Sequence, residues 1–122
     1  MKNFSHMEFK QAIRKLAKMI PKHQIKYLYG VPRGGSIVAV YLSHRTGIPI
    51  CNNDKNPNEI LVVDDICDTG HTLQFYDDML KATIFYKRTA SIEPDYWVYE
   101  TTEFIKFPWE TETSAKVDYA SR

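Results

Sequence analysis

The residues best suited to chemistry in this 122-residue chain fall within one run, ILVVDDICDTGHTL, at positions 60–73. Asp64 and Asp65 bring two carboxylates together, and Asp68, Thr69, Gly70, His71 and Thr72 follow close behind. Adjacent carboxylates can accept hydrogen bonds from vicinal hydroxyls or hold a hard cation such as Mg2+ through oxygen or water. Gly70 permits backbone conformations that a side chain blocks, and the amides of a loop entering a helix converge on an anion with help from the helix dipole. Thr69 and Thr72 add hydroxyl donors. The pattern points to a phosphate and a diol read by adjacent segments, with Asp64 and Asp65 as the candidate Mg2+ ligands. Each half alone also has a plain structural reading, because paired aspartates after a strand occur in phospho-acceptor domains and Thr-Gly before a helix is a common cap.

A second stretch, YGVPRGGS at 29–36, combines glycines at 30, 34 and 35 with the cation of Arg33. Bare amides next to a guanidinium suit a leaving group on which negative charge develops. By itself such a turn is more often a tight connection between a strand and a helix.

The elements that must position these residues are legible in outline. Ser5 and Glu8 form a capping box, and Met7, Phe9, Ile13, Leu16, Ala17 and Ile20 recur at near-helical spacing until Pro21 stops the helix. Residues 25–29 read as a strand, 36–46 as a helix and 48–51 as a second short strand. The polar loop CNNDKNPNE follows at 51–59. Residues 60–63 form a continuous apolar run, the pattern of a strand buried on both faces of a parallel sheet, with the acidic pair at its carboxyl end. A helix is expected over 72–80 and strands over 82–86 and 96–99. Strands and helices thus alternate as in an open α/β sheet, where ligands sit beyond the strand carboxyl ends.

Bulk properties narrow the function class. With 43% hydrophobic and 25% charged residues the chain is expected to fold as one globular domain. A net charge of +1 carries no electrostatic footprint for nucleic acid. No apolar run approaches the ~20 residues that span a bilayer, and no signal peptide opens the chain, so a cytoplasmic location without a membrane partner is expected. Cys51 and Cys67 fit no metal or redox spacing and read as reduced thiols, and His6, His23 and His44 are too scattered for a zinc site.

DDICDTGHT following ILVV resembles the phosphoribosyl pyrophosphate signature of the type I phosphoribosyltransferases. TIFYK followed by EFIKFPWE is similar to the carboxyl half of the bacterial xanthine-guanine members, so that the likeness extends over residues 25–110. The resemblance implies the type I phosphoribosyltransferase fold, an open, mainly parallel sheet flanked by helices, with a core over 25–86 and a small C-terminal hood over 87–110, all within one domain spanning 1–122. It implies transfer of the phosphoribosyl group from phosphoribosyl pyrophosphate to xanthine, guanine or hypoxanthine, with Mg2+. The loop carrying Arg33, Gly34 and Gly35 would then contact pyrophosphate. Lys87 would meet the exocyclic oxygen of the purine, Phe104 would stack on the ring, and Ile105 would offer backbone groups to the base. Asp68 would act as general base or stabilise the departing proton, and Trp109 would pack beneath the base-binding segment. A lysine at that place favours a carbonyl oxygen over an amino group, hence 6-oxopurines over adenine. Family members commonly form dimers or tetramers, so a homo-oligomer is expected.

Two features depart from the family pattern. The loop at 51–59 replaces a long flexible segment that closes over the site, and His71 replaces a smaller residue. The short loop favours a second reading of a different class, a non-catalytic protein that binds phosphoribosyl pyrophosphate or a nucleotide for regulation. Lys87, Phe104 and Asp68 favour the enzyme. The tail from Thr111 onward has no assigned element and is expected to fray.

Overall fold

A computed structural model describes residues 1–111. The expected fraying of the tail, from position 112 on, lies outside the described residues. The elements in chain order are β1 (Lys2–Asn3), α1 (His6–Met19), β2 (Tyr27–Gly30), α2 (Gly34–Thr46), β3 (Ile60–Cys67), β4 (Leu80–Tyr86), β5 (Tyr96–Glu100) and β6 (Ile105–Lys106). Short 3-10 turns occupy Pro57–Glu59 and Leu73–Tyr76.

The capping box forms as read: Ser5 Oγ accepts from the Glu8 amide at 3.0 Å, and Glu8 Oε1 accepts from the Ser5 amide at 3.0 Å. Phe9, Ala12, Ile13, Leu16 and Ala17 are the buried stripe of α1. Met7, expected on that stripe, is 71% exposed. At ~100° per residue, a position two before Phe9 points to the far side of the helix. The helix α2 ends at Gly47, whose φ of 78° lets its amide turn back to the Ser43 carbonyl at 2.8 Å.

Four strands in the order β2-β3-β4-β5 make an all-parallel sheet. The apolar run expected at 60–63 continues as strand through Cys67, which pairs with Tyr86. Asp64 and Asp65 are therefore inside β3 and not at its end. The expected strand at 48–51 is reduced to one bridge between Leu28 and Ile50, flanked by Pro49, which has no amide to donate.

Both helices cover one face of the sheet, packing Phe9, Leu16, Val38 and Leu42 against Leu61, Val63, Ala82 and Ile84. The other face buries Ile60, Val62, Leu73 and Tyr86 under connecting segments, with Tyr29, Tyr76, Met79 and Trp97 at its margin. The helix expected over 72–80 is absent. Leu73, Tyr76 and Met79 all turn to this face, a spacing of three that matches a 3-10 turn and not the 3.6 period of an α-helix. The amide of Phe75 accordingly donates to Thr72 and that of Met79 to Tyr76, each three residues back.

A separate two-stranded parallel pair, β1 with β6, matches Lys2 to Ile105 and Asn3 to Lys106. Phe4, just after β1, meets Phe85 edge-on at 4.9 Å and Phe107 at 5.9 Å, which fixes this small hood on the main core. Cys51 and Cys67 are free and buried. Among the described residues no helix is long and apolar enough to cross a membrane.

Ser5→Ala removes the hydroxyl half of the capping box and is expected to lower stability by about 1 kcal/mol. Urea unfolding should show a lower midpoint with an unchanged slope.

Candidate active site

A cavity of about 650 Å³ opens at the carboxyl ends of β3 and β4, with the hood on its far side. Asp64, Asp65, Ile66 and Cys67 all contribute to its wall. A strand face would offer alternate residues only, so the cavity sits over the tip of β3.

The two carboxylates at this wall are nearly inaccessible, at 1% for Asp64 and 2% for Asp65. Asp64 Oδ1 accepts from the Asp65 amide at 2.9 Å, and Asp65 Oδ1 accepts from the Ile66 amide at 2.8 Å. Behind them, the first turn of α2 comes close because it begins with two glycines. A Cβ on Gly35 would lie 2.5 Å from the Val63 carbonyl oxygen and 3.1 Å from Asp64 Cα, and one on Gly34 would collide with Asp65 Oδ2. Gly34 and Gly35 thus stand behind the carboxylates as spacers, outside the cavity lining. Arg33 is exposed at the start of α2, after a cis Pro32–Arg33 peptide. Pro32 and Ser36, from the same turn, border a smaller cavity of about 350 Å³ with Tyr29 and Asn52.

Burial raises two neighbouring acids. The Cys67 thiol is pushed up to about 11 by desolvation, then by the charges of Asp64 and Asp68. The Tyr76 phenol reaches about 12 through desolvation, its hydrogen bond and charge interaction with Tyr29, and the charge of Asp64.

Asp68, Thr69, Gly70, His71 and Thr72 line the cavity together. Gly70 has φ of +85°, the left-handed conformation that the turn requires. Thr69 Oγ1 accepts from the His71 amide at 3.1 Å, and the Gln74 amide donates to the Gly70 carbonyl at 3.1 Å. Among the described residues, the amides of Gly70 and Thr72 take no hydrogen-bond partner. With only a four-residue 3-10 turn following, the loop has no long helix dipole behind it, contrary to the sequence reading. What the loop offers is turn amides and hydroxyls alone. His71 is exposed, with its ring edge-on to Phe75 at 6.0 Å.

At the opposite end, Lys87 Nζ pairs with Asp68 Oδ1 at 3.1 Å. Lys87 is held there by its own amide, which donates to the Cys67 carbonyl at 3.0 Å. Phe104 stands on the wall with 59% of its surface open and, among the described residues, no ring neighbour. Ile105 is buried in β6 and still reaches the lining. Trp109 stacks on Phe107 at 5.0 Å and 11° and meets Phe9 edge-on, away from the cavity. The loop at 51–59 contributes nothing to the lining. Gln74, Ser91, Phe107 and Glu110 do, and the sequence reading missed all four. Gln74 had been absorbed into the expected helix, and Ser91 lies in an unremarkable polar connection. Glu110 Oε1 caps the Phe107 amide at 2.9 Å, a signal visible only as an acidic residue three positions on.

A parallel sheet with this loop over its central strand, an acidic pair beneath and a hood opposite is the type I phosphoribosyltransferase fold. The chain is 27% identical over 133 aligned positions to the xanthine-guanine phosphoribosyltransferase of Idiomarina loihiensis, covering 84% of this chain and 83% of that protein. A purine phosphoribosyltransferase from Pyrococcus horikoshii Ot3 superposes with a TM-score of 0.82 at 29% identity, over 90% of this chain and 94% of the other. The xanthine-guanine-hypoxanthine phosphoribosyltransferase of Helicobacter pylori matches with a TM-score of 0.77 at 21% identity, over 95% and 97% of the two chains, a likeness of fold. No family model matches the chain. Fold and sequence thus both liken the chain to phosphoribosyltransferases, which are enzymes.

Gly35→Ala is expected to cost about 1–3 kcal/mol in urea unfolding, because the new methyl meets backbone and not a movable side chain. A second expectation concerns alkaline pH. The neutral Cys67 thiol is favoured in the fold, so its contribution is complete below about 9 and is lost as pH rises through about 11. Wild-type stability should therefore fall more steeply across that window than that of Cys67→Ala, and parallel slopes would contradict the assignment.

Proposed function

We propose that this chain transfers the phosphoribosyl group from phosphoribosyl pyrophosphate to a 6-oxopurine, forming a nucleoside monophosphate and pyrophosphate. The observation that carries the proposal is the Lys87–Asp68 pair, 3.1 Å apart, on a wall shared by the phosphate loop and the open face of Phe104. A 6-oxopurine presents a carbonyl oxygen and an imidazole N–H side by side. Lys87 donates to the first and Asp68 accepts from the second. Adenine would set an amino donor against the ammonium and lose that match.

The chain's own residues then have distinct tasks. The amides of Gly70 and Thr72 and the hydroxyls of Thr69 and Thr72 hold the sugar phosphate, with His71 at the rim. Asp64 and Asp65 accept from the ribose hydroxyls. Arg33 serves the pyrophosphate side, with Gly34 and Gly35 letting its turn close up on the carboxylates, and Phe104 and Ile105 hold the base. The purine nitrogen forms its bond to the anomeric carbon as the carbon–oxygen bond to pyrophosphate breaks, and Asp68 takes the proton the base gives up. Positioning and electrostatic stabilisation account for most of such a rate.

Mg2+ fits the donor set. Asp64 and Asp65 offer carboxylate oxygens on the cavity wall, and one or two carboxylates shared with substrate phosphates is the arrangement Mg2+ prefers. Asp64 and Asp65 would hold it, and when bound it supplies charge neutralisation for the departing pyrophosphate. The short loop at 51–59 leaves the cavity without a cover from that side, which favours a second reading, binding of phosphoribosyl pyrophosphate or a nucleotide without turnover.

Incubating the protein with phosphoribosyl pyrophosphate, Mg2+ and each purine base should yield nucleotide and pyrophosphate with oxopurines. Donor binding with no product from any base would leave only the second reading. Asp68→Asn should lower kcat by roughly 10²–10⁴-fold with donor affinity near the wild-type value. Equal losses in both would contradict the role given to Asp68.

A further inference from the structure

Ser91 lies in the connection between β4 and β5, within the expected hood but not among the residues that the sequence marks as ligands, yet it lines the cavity beside the phosphate loop. Its amide donates to the Thr69 carbonyl at 2.8 Å. The two segments meet this closely because position 70 is glycine. A Cβ on Gly70 would lie 2.6 Å from Ser91 Oγ and 3.0 Å from the backbone nitrogens of Ser91 and Ile92. Gln74, also on the lining, donates its side-chain N–H to Ser91 Oγ. Gln74 is itself anchored by its amide on the Gly70 carbonyl at 3.1 Å.

A hydroxyl has one proton to donate and two lone pairs to accept with. Gln74 occupies a lone pair of Ser91, so the proton must point elsewhere, and among the described residues no group accepts it. It stands next to Gly70 and shares the cavity lining with Thr72, and among the described residues the amides of both also take no partner. These donors come from two connections of the sheet and line one cavity.

We infer that Ser91 is a further ligand of the sugar phosphate, oriented by Gln74; the inference rests on the phosphate site of the proposed function. Phosphate recognition then reaches beyond the loop at 68–72 into the segment that carries Lys87, so the ligand bridges the connections after β3 and β4.

Calorimetric titration of wild type, Ser91→Ala and Gln74→Glu with ribose 5-phosphate and, separately, pyrophosphate tests this. Ser91→Ala should weaken ribose 5-phosphate about tenfold or more, the effect of one hydrogen bond to a charged group, and leave pyrophosphate affinity and Tm unchanged. The backbone bond from Ser91 to Thr69 survives that substitution, so the loops stay tied. Gln74→Glu replaces the donor with an acceptor for the Ser91 proton and should weaken ribose 5-phosphate likewise. Unaltered ribose 5-phosphate binding in Ser91→Ala overturns the inference, and so does an equal loss for both ligands, which would mark a merely structural role. If wild type itself binds neither ligand, the phosphate site falls and the inference with it.

Discussion

Two carboxylates held almost wholly out of water within β3 set the terms for the rest of the molecule. A buried carboxylate is tolerated only where hydrogen bonds replace its hydration. Asp64 and Asp65 each spend one oxygen on the next backbone amide, which keeps them in the strand. Their second requirement is space, and that falls on α2, whose first turn must come to the strand without a side chain. The order of residues in the Pro-Arg-Gly-Gly turn follows from this approach: the charged residue is outside at 33 and the bare ones are inside at 34 and 35.

The cavity is assembled from connections, whereas the sheet supplies its floor. The segment after β3 brings the loop at 68–72, the segment after β4 brings Lys87 and Ser91, and the hood brings Phe104, Ile105 and Phe107. These parts are joined by few bonds. The Lys87–Asp68 pair is one of them, and with Asp68 half exposed it is worth little to folding. That weakness leaves the two side chains easy to part. The firmer ties are backbone bonds, from Lys87 to Cys67 and from Ser91 to Thr69, and these hold the loops whatever the side chains do.

Much of the site was legible in the sequence because its residues are local. Asp64 to Thr72 lie in one run, and a strand followed by a glycine-bearing turn declares both the floor and the cradle. The capping box of α1 was equally plain, since its partners are three residues apart. The errors arose where tertiary packing decided. The segment at 72–80 carries residues able to form a helix, but the sheet offers it a flat apolar face that Leu73, Tyr76 and Met79 satisfy at a spacing of three. The length of β3 was underestimated because aspartates are poor strand formers, and pairing with the apolar β4 overrides that preference. Ser91 and Gln74 could not be found from spacing, because the hydrogen bond between them joins two connections and exists only once the sheet has brought those connections together.

The pairing of β1 with β6 has a bearing on how the molecule comes to exist during synthesis. Lys2–Asn3 must wait for Ile105–Lys106, nearly the whole described chain later, before this pair can form. The parallel sheet and the loop at 68–72 depend on no such wait beyond β5. Closing so long a loop carries an entropic cost, offset by the strand pairing and by packing of Phe4 on Phe85, Tyr99 and Phe107. A nascent chain therefore completes its sheet and the glycine turn after β3 first, and the wall that carries Phe104 and Ile105 last.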